Sequence, residues 1–345
     1  MPSTASSPFG WSDRLAALAA DLPPHLLIGR VARVDRGWCT VFRDLDLTQR
    51  ARTREPLAAG DWVGVDPDTD TVESVLHRSS ALTRRSASGR SEAQVLAANI
   101  DHVFILQPLP RGLNTRRLQR ELVIAWESGA VPVVVLTKSD LVSEAETTSA
   151  LAEAEAVSLG VDIHAVSATT GAGIEALRRY TAGHRTIVML GASGVGKSTL
   201  VNALAGEAVQ DTGVVREGDS KGRHTTVVGQ LIVLGDGGIL IDTPGLRALA
   251  LWDADEGMAA VFADIDSLVD ECRFPDCEHR TEPGCAVLSA IEGGVLTTER
   301  VDDWHRLQRE LARLATDKAG WQKAAEGQAR RRFYKAIKHN SRTRK

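Results

Sequence analysis

The sequence predicts an α/β protein, and three observations carry that prediction. Strand-length apolar runs alternate with helix-length stretches from residue 101 to residue 190. A glycine-rich loop, Gly191-Ala-Ser-Gly-Val-Gly196-Lys197-Ser198, joins the last of these strands to a helix. Short β-prone runs precede the block, and a segment rich in cysteine follows it. The series reads strand 101–107, helix 115–128, strand 131–136, helix 143–159, strand 162–166, helix 173–182 and strand 186–190. That order gives a parallel sheet covered by helices on both faces.

The glycine-rich loop fills every fixed position of a phosphate-cradling loop. It lies between the apolar run Thr186–Leu190 and a helix that begins at Lys197. The amide hydrogens of Gly191, Ala192, Ser193, Gly194, Val195, Gly196, Lys197, Ser198 and Thr199 then converge on anionic phosphate at a helix N-terminus. Lys197 is expected to reach the β- and γ-phosphates and Ser198 to hold Mg²⁺.

The base is indicated by Thr137-Lys138-Ser139-Asp140, directly after the run Val131–Leu136. This stretch resembles the NKxD guanine motif of GTPases. The carboxylate of Asp140 accepts two hydrogen bonds from guanine's ring N–H and exocyclic amine, a donor pair that adenine lacks. Thr137 stands where the pattern has Asn and lacks the amide that bridges base and phosphate loop. By itself, Lys-x-Asp after a strand also fits a helix-cap turn. Ser167-Ala168, after the strand 162–166, looks like the short guanine-contacting element.

A hairpin of strands 230–234 and 239–241 leads into Asp242-Thr-Pro-Gly245. Asp242 is expected to hold Mg²⁺ through water and the Gly245 N–H to meet the γ-phosphate, although the tetrapeptide alone also reads as a type I turn. Thr225 or Thr226 is expected to complete the Mg²⁺ shell. Leu246 occupies the place where many GTPases put the glutamine that orients water, so His224 is the local candidate for that role; a surface histidine without chemistry is the other reading. Lys197, His224 and Gly245 are thus the catalytic candidates.

In ordinary GTPases the phosphate loop comes first and the guanine-reading segments last, whereas here the guanine-type segments come first, the phosphate loop next and DTPG last. Circular permutation is physically tolerable, because native termini lie near one another at the surface. After DTPG come Cys272, Cys277, His279 and Cys285, within fourteen residues and among turn-forming prolines and a glycine. Thiolate and neutral imidazole in a set of four suit tetrahedral, structural Zn²⁺. A disulfide pair and plain buried thiols are the alternatives. Cys39 reads as a buried strand residue.

Together, the permuted motifs, the small β module before them and the Cys/His knuckle after them resemble the ribosome small subunit-dependent GTPase A family, circularly permuted GTPases of ribosome assembly. The likeness covers residues 25–315. It implies a circularly permuted P-loop GTPase domain (95–250), an OB-fold β-barrel before it (25–85) and a mainly helical zinc-binding domain after it (251–345); composition adds a flexible N-terminus (1–24) and a basic tail within the last domain. The likeness further implies a monomer that binds GTP and GDP with Mg²⁺, docks on the small (30S) ribosomal subunit and its 16S rRNA late in maturation, and hydrolyses GTP faster there. The strands alone, 28–34, 38–42, 62–65 and 72–76, do not separate an OB-fold from another small barrel. An RNA-dependent ATPase and a nucleotide-gated RNA-binding scaffold with little turnover stay open as alternative functions.

Charge fits an RNA partner without requiring one. Arg330–Lys345 holds eight Lys/Arg and no Asp/Glu, so removing it from a chain of net charge −4 leaves −12 on the rest. The tail reads either as an arm on rRNA phosphates, with Phe333 and Tyr334 stacking on bases, or as a solvated end. Arg84, Arg85 and Arg90 lie in a Ser-rich stretch that reads as a linker. Residues 1–10 are small and polar enough for disorder, and 16–22 form a short helix. The apolar run Leu15–Ala20 is too short to span a membrane and is flanked by Asp13 and Asp21, so a cytoplasmic protein is expected. Val301, Trp304, Leu307, Leu311 and Leu314 recur at helical spacing and are expected to pack the zinc module.

Overall fold

The computed structural model of this chain describes residues 9–44, 47–85, 93–206, 229–243 and 254–316. These residues fall into two compact units, one within Met1–Leu82, Val95–Ala248 and Glu256–Val261, the other within Thr83–Gln94, Leu249–Asp255 and Phe262–Lys345.

The first unit begins with α1 (Asp13–Ala19), whose N-cap Ser12 accepts the Leu15 N–H at 3.4 Å. Five strands follow: β1 (Leu27–Asp35), β2 (Trp38–Asp44), β3 (Leu47–Arg52), β4 (Trp62–Asp66) and β5 (Thr71–Val75). They run in the order β1-β2-β3-β5-β4, and pairing of β4 with β1 closes an OB-like barrel. Alternate residues Val31, Cys39, Val41, Ala51, Val63, Val65 and Val72 fill its interior. Cys39 is fully buried there, as expected, and burial pushes its thiol pKa up to about 11.

Two features of this region depart from the sequence reading. β3 was not expected, because Leu47-Thr-Gln-Arg-Ala-Arg turns only Ala51 into the core and leaves Leu47 exposed. The N-terminal stretch is ordered from Phe9, which is buried and stacks on Phe42 with ring centroids 4.9 Å apart, while Trp11 meets Trp62 edge to face. Two isolated aromatics anchor what composition reads as a loose end. Residues 1–8 lie outside the described residues.

The second half of this unit is a sheet of β8 (His102–Pro108), β9 (Val131–Thr137), β10 (Asp162–Val166), β11 (Thr186–Gly191), β12 (Gln230–Val233) and β13 (Ile239–Asp242). Its order is β10-β9-β8-β11-β13-β12, parallel except for β12. α2 (Thr115–Glu127), α3 (Glu144–Val157), α4 (Ile174–Arg178), α5 (Lys197–Ala205) and α6 (Asp255–Val261) accompany it. The predicted alternation is therefore present, with α4 shorter than the expected 173–182. Phe104, Leu106, Val135, Ile187 and Met189 pack against Leu177, Leu200 and Leu204 to form the core on one face. A Ser143/Glu146 capping box starts α3.

The barrel and this sheet are continuous, because β1 also pairs with β12 at Arg33↔Gln230. The Ser-rich stretch read as a linker is flanked by a two-stranded ribbon, β6 (Ala81–Arg85) with β7 (Ala93–Ala98), in which Arg84 donates to Gln94 at 3.1 Å. Arg90 lies outside the described residues.

The second unit contains α7 (Ala263–Val269), α8 (Ala286–Glu292) and a helix over residues 298–316. Arg300 forks onto Asp264 at 2.9 and 3.0 Å and lies 4.4 Å over the Phe262 ring, tying this helix to α7. Val301, Trp304 and Leu307 are buried as the spacing predicts, and Leu311 and Leu314 are half-buried. The basic tail, with Phe333 and Tyr334, lies outside the described residues.

Asp61 is fully buried in the β3–β4 connection, where it accepts the Ala58 N–H at 2.8 Å and pairs with both Nε and Nη2 of Arg78 at 2.6 and 2.7 Å. Arg78→Met strands this carboxylate and is expected to lower stability by about 3 kcal/mol in urea denaturation. A loss below about 1 kcal/mol, the range of exposed pairs, would contradict the buried-pair account.

Candidate functional site

Ligands of open α/β sheets bind beyond the carboxyl ends of the strands, where the winding reverses. Here the chain winds outward from β8 through β9 to β10, returns to β11 beside β8, and continues to β13 on the other side. The reversal lies between β8 and β11, and the phosphate-loop sequence follows β11. The sheet thus delivers the glycine-rich loop to the crevice that its own topology creates.

Gly191 ends β11 opposite Leu106 of β8 with φ +150°, and a Cβ at this position would stand 2.9 Å from the Leu106 carbonyl oxygen. Only glycine permits so close a passage. The loop then turns into α5 through Gly196, and the Lys197 ammonium folds back to donate to the carbonyls of Gly191 at 2.7 Å and Ala192 at 3.0 Å. Ser198 and Thr199 occupy the first turn of α5.

The Thr137 region corrects one sequence expectation. Thr137, buried at the end of β9, donates its hydroxyl to the Val195 carbonyl at 2.7 Å and lies 3.4 Å from the Gln107 carbonyl. A threonine therefore does reach the phosphate loop, because the strand end comes close enough for a short side chain. Lys138 adopts φ +62°, a backbone state costing about 1 kcal/mol, and its Nζ donates to the Gly194 carbonyl at 2.7 Å. That turn carries Asp140 to an exposed position in the short 3₁₀ segment Ser139–Leu141.

Three segments line one pocket. Thr137, Lys138 and Asp140 form one wall; Val166, Ala168 and Thr169 the second; Val195, Gly196, Thr199 and Leu200 the third. Ser167, buried and one residue from this lining, accepts the Thr170 N–H at 3.1 Å and so holds the turn that presents Ala168. Asp242 ends β13, which runs parallel to β11, so it lies at the carboxyl end of the strands, the end from which β11 leads through the loop to Ser198. Hydroxyl and carboxylate oxygens are the donors Mg²⁺ prefers. His224, Thr225, Thr226 and Gly245, expected to act on the γ-phosphate side, lie outside the described residues.

Sequence reasoning missed a buried polar group behind the loop. Gln107 donates from Nε2 to Glu121 at 2.9 Å, and Arg117 donates to the other carboxylate oxygen at 2.8 Å. Desolvation raises the pKa of Glu121, and Arg117 opposes the rise. The only sequence signal was polar residues on the inner side of a strand and a helix.

In the second unit, the ligand atoms of Cys272, Cys277, His279 and Cys285 all lie within 4.8 Å of one another. The Cys272 and Cys285 sulfurs are 3.9 Å apart, and each is 3.4 Å from His279 Nδ1. A tetrahedral Zn²⁺ with ordinary bond lengths separates S from S by about 3.8 Å and S from N by about 3.6 Å. The cluster has the donor set and spacing of a zinc site. Desolvation opposes ionisation of Cys272, yet hydrogen bonds from the Ala286 and Val287 amides and from Cys285 and Cys277 together hold the thiol below its usual pKa. His279 has φ +56° and packs against Trp304 with ring centroids 5.5 Å apart. The loop between the last two ligands is organised by Glu282, which sequence reading passed over: its carboxylate accepts the N–H groups of Glu278, Arg280 and Thr281 at 3.1, 2.8 and 2.9 Å. These backbone donors bring its pKa down to about 2.

The fold and the first site define a P-loop protein in which the Thr137–Asp140 stretch and the phosphate loop line one pocket in permuted motif order. A family model described as RsgA GTPase matches residues 75–252. A Streptomyces coelicolor protein named small ribosomal subunit biogenesis GTPase RsgA is 46% identical over 323 residues, covering 90% of this chain and 88% of its own length. The chain belongs to the RsgA GTPase family. The crystal structure of YjeQ from Thermotoga maritima is 28% identical with a TM-score of 0.62, over 83% of this chain and 99% of that one. YloQ, described as a circularly permuted GTPase, shares the fold at 22% identity and TM-score 0.61, over 84% of this chain and 96% of that one.

Thr137→Val removes the donor to the buried Val195 carbonyl while keeping the volume. It is expected to lower stability by about 1–2 kcal/mol in denaturant titration, with Thr137→Ser close to the parent. Equal stability of the Val variant and the parent would show that the hydroxyl does not tether the loop.

Proposed function

We propose that this chain hydrolyses GTP to GDP and phosphate in the biogenesis of the small ribosomal subunit. One observation carries the nucleotide half of the reading: Thr137, Lys138 and Asp140, Ala168, and Val195, Gly196 and Thr199 of the phosphate loop line one pocket at the switch point of the sheet. The ribosomal half is supported by the names of the relatives.

In this reading Asp140 accepts the ring N–H and amine of guanine, and Lys138, held over the loop, flanks the base with its aliphatic stem. Lys197 exchanges the carbonyls of Gly191 and Ala192 for β- and γ-phosphate oxygens, and the loop amides hold the remaining phosphate charge. Ser198 and Asp242 hold Mg²⁺, with Thr225 or Thr226 completing its shell; the ion, when bound, neutralises charge between the β- and γ-phosphates. The Gly245 amide meets the γ-phosphate and His224 orients the attacking water. The proposed domain limits are 25–85, 95–250 and 251–345, and the Arg330–Lys345 tail grips rRNA phosphates. Cys272, Cys277, His279 and Cys285 hold one structural Zn²⁺. The protein is cytoplasmic; among the described residues no helix is long and apolar enough to cross a membrane.

GTP turnover titrated separately with purified small and large ribosomal subunits tests base choice, activity and partner together. Small subunits are expected to raise turnover about tenfold or more, and large subunits to leave it unchanged. Equal rates with and without small subunits would sink the ribosomal reading. For the metal, elemental analysis is expected to give about one zinc per chain, and Cys277→Ser to lose it together with a lowered melting temperature. Metal-free protein with the parent's melting curve would overturn the knuckle assignment.

A further inference from the structure

The barrel meets the nucleotide-binding sheet at a junction built from buried, unusually constrained groups. Arg30 of β1 is 1% exposed, and its guanidinium donates to three carbonyls: Gly60 at 3.2 Å, Phe9 at 2.6 Å and Asn99 at 2.9 Å. Asn99, with φ +54°, returns a hydrogen bond from Nδ2 to the Gly60 carbonyl at 3.0 Å. One cation thus gathers the N-terminal segment, the barrel turn before β4 and the turn leading into β8. Burial brings the pKa of Arg30 down to about 10, which leaves it charged at neutral pH.

Gly60 is the contact point with the strand that carries the DTPG motif. Its φ is +92°, and a Cβ there would overlap the Ala98 carbonyl oxygen and lie 2.7 Å from Ile241 Cδ1. Ile241 immediately precedes Asp242. Backbone bonds fix the approach: Ala98 N–H to the Ala59 carbonyl at 3.0 Å, and Gly60 N–H to the Val31 carbonyl at 2.8 Å. A second connection runs along one cross-strand row, Arg33 of β1 opposite Gln230 of β12, and Gln230 opposite Asp242 of β13. The barrel therefore touches the Asp242 end of β13 from its face, through Gly60, and from its edge, through β12.

We infer that the Arg30–Gly60 junction is a positioning device for Asp242, through which the barrel sets the Mg²⁺-binding geometry of the nucleotide site. Neither residue touches nucleotide; both act through β13. The inference rests on the proposal that Asp242 serves Mg²⁺, and it goes beyond that proposal by giving the barrel a part in the chemistry. Packed interiors transmit small displacements instead of absorbing them, so a shift of the barrel arrives at Asp242 as a shift of the carboxylate.

The test uses the full chain, a fluorescent GDP and a non-hydrolysable GTP analogue. Arg30→Lys keeps the charge but loses the three-way fork, Gly60→Ala adds the obstructing Cβ, and Val65→Ala weakens the barrel interior away from the junction. The Mg²⁺ concentration that half-saturates binding of the GTP analogue is expected to rise about tenfold in Arg30→Lys and Gly60→Ala. Their affinity for GDP in EDTA is expected to stay near the parent's. Val65→Ala is expected to lower the melting temperature and leave both constants alone. Should Gly60→Ala fail to fold, Arg30→Lys decides. An unchanged Mg²⁺ requirement in folded Arg30→Lys, or an equal rise in Val65→Ala, overturns the inference. Binding by the parent protein that ignores Mg²⁺ altogether removes the Asp242 assignment itself, and the junction's role with it.

Discussion

Parallel pairing of β11 with β8 is the constraint on which the nucleotide site depends. It sets Gly191 against Leu106, opens the crevice where the winding of the sheet reverses, and brings the end of β9 close enough for Thr137 to hold the phosphate loop. Each strand's place is set by its lateral hydrogen bonds, not by its rank in the chain. That is why the Thr137–Asp140 and Ser167–Ala168 segments can precede the phosphate loop and still meet it. What permutation changes is connectivity: in chain order the barrel precedes the sheet, and β12 pairs with its strand β1.

The second unit works on a different principle. α7 and α8 are seven residues each, and among the described residues the apolar contacts come mainly from Phe262, Ile265, Val287, Val301, Trp304 and Leu307. Two polar devices supplement them: the Arg300–Asp264 fork between helices, and the Cys/His cluster with Glu282 gathering the loop that presents its last two ligands. Small cores of this kind commonly need such cross-links.

The strand–helix alternation was legible because β8, β9 and β11 are nearly unbroken apolar runs, as burial on both faces demands, while β10, Asp162-Ile-His-Ala-Val at the end of the sheet, is only partly buried. The phosphate loop, the TKSD stretch and the Cys3His set were legible because their chemistry requires particular residue types at close sequence spacing. What sequence could not supply was long-range: the carbonyls gripped by Arg30 belong to residues 9, 60 and 99, and Thr137 meets a carbonyl 58 positions away. β3 escaped notice because it turns only one buried side chain, Ala51, into the barrel. Glu282 looked like one more surface acid until its three backbone partners were seen. Thr137 was judged by the motif it departs from, whereas its hydroxyl makes the loop contact for which the motif uses an amide.

Three distant segments meet in one pocket at the β8–β11 crevice, and its proposed selectivity is for guanine. Calorimetric titration of the full chain with GDP and, separately, with ADP tests it most directly. The account predicts a single saturable transition with GDP and heats no larger than dilution with ADP. Matching isotherms for the two nucleotides, or no heat from GDP, would contradict it.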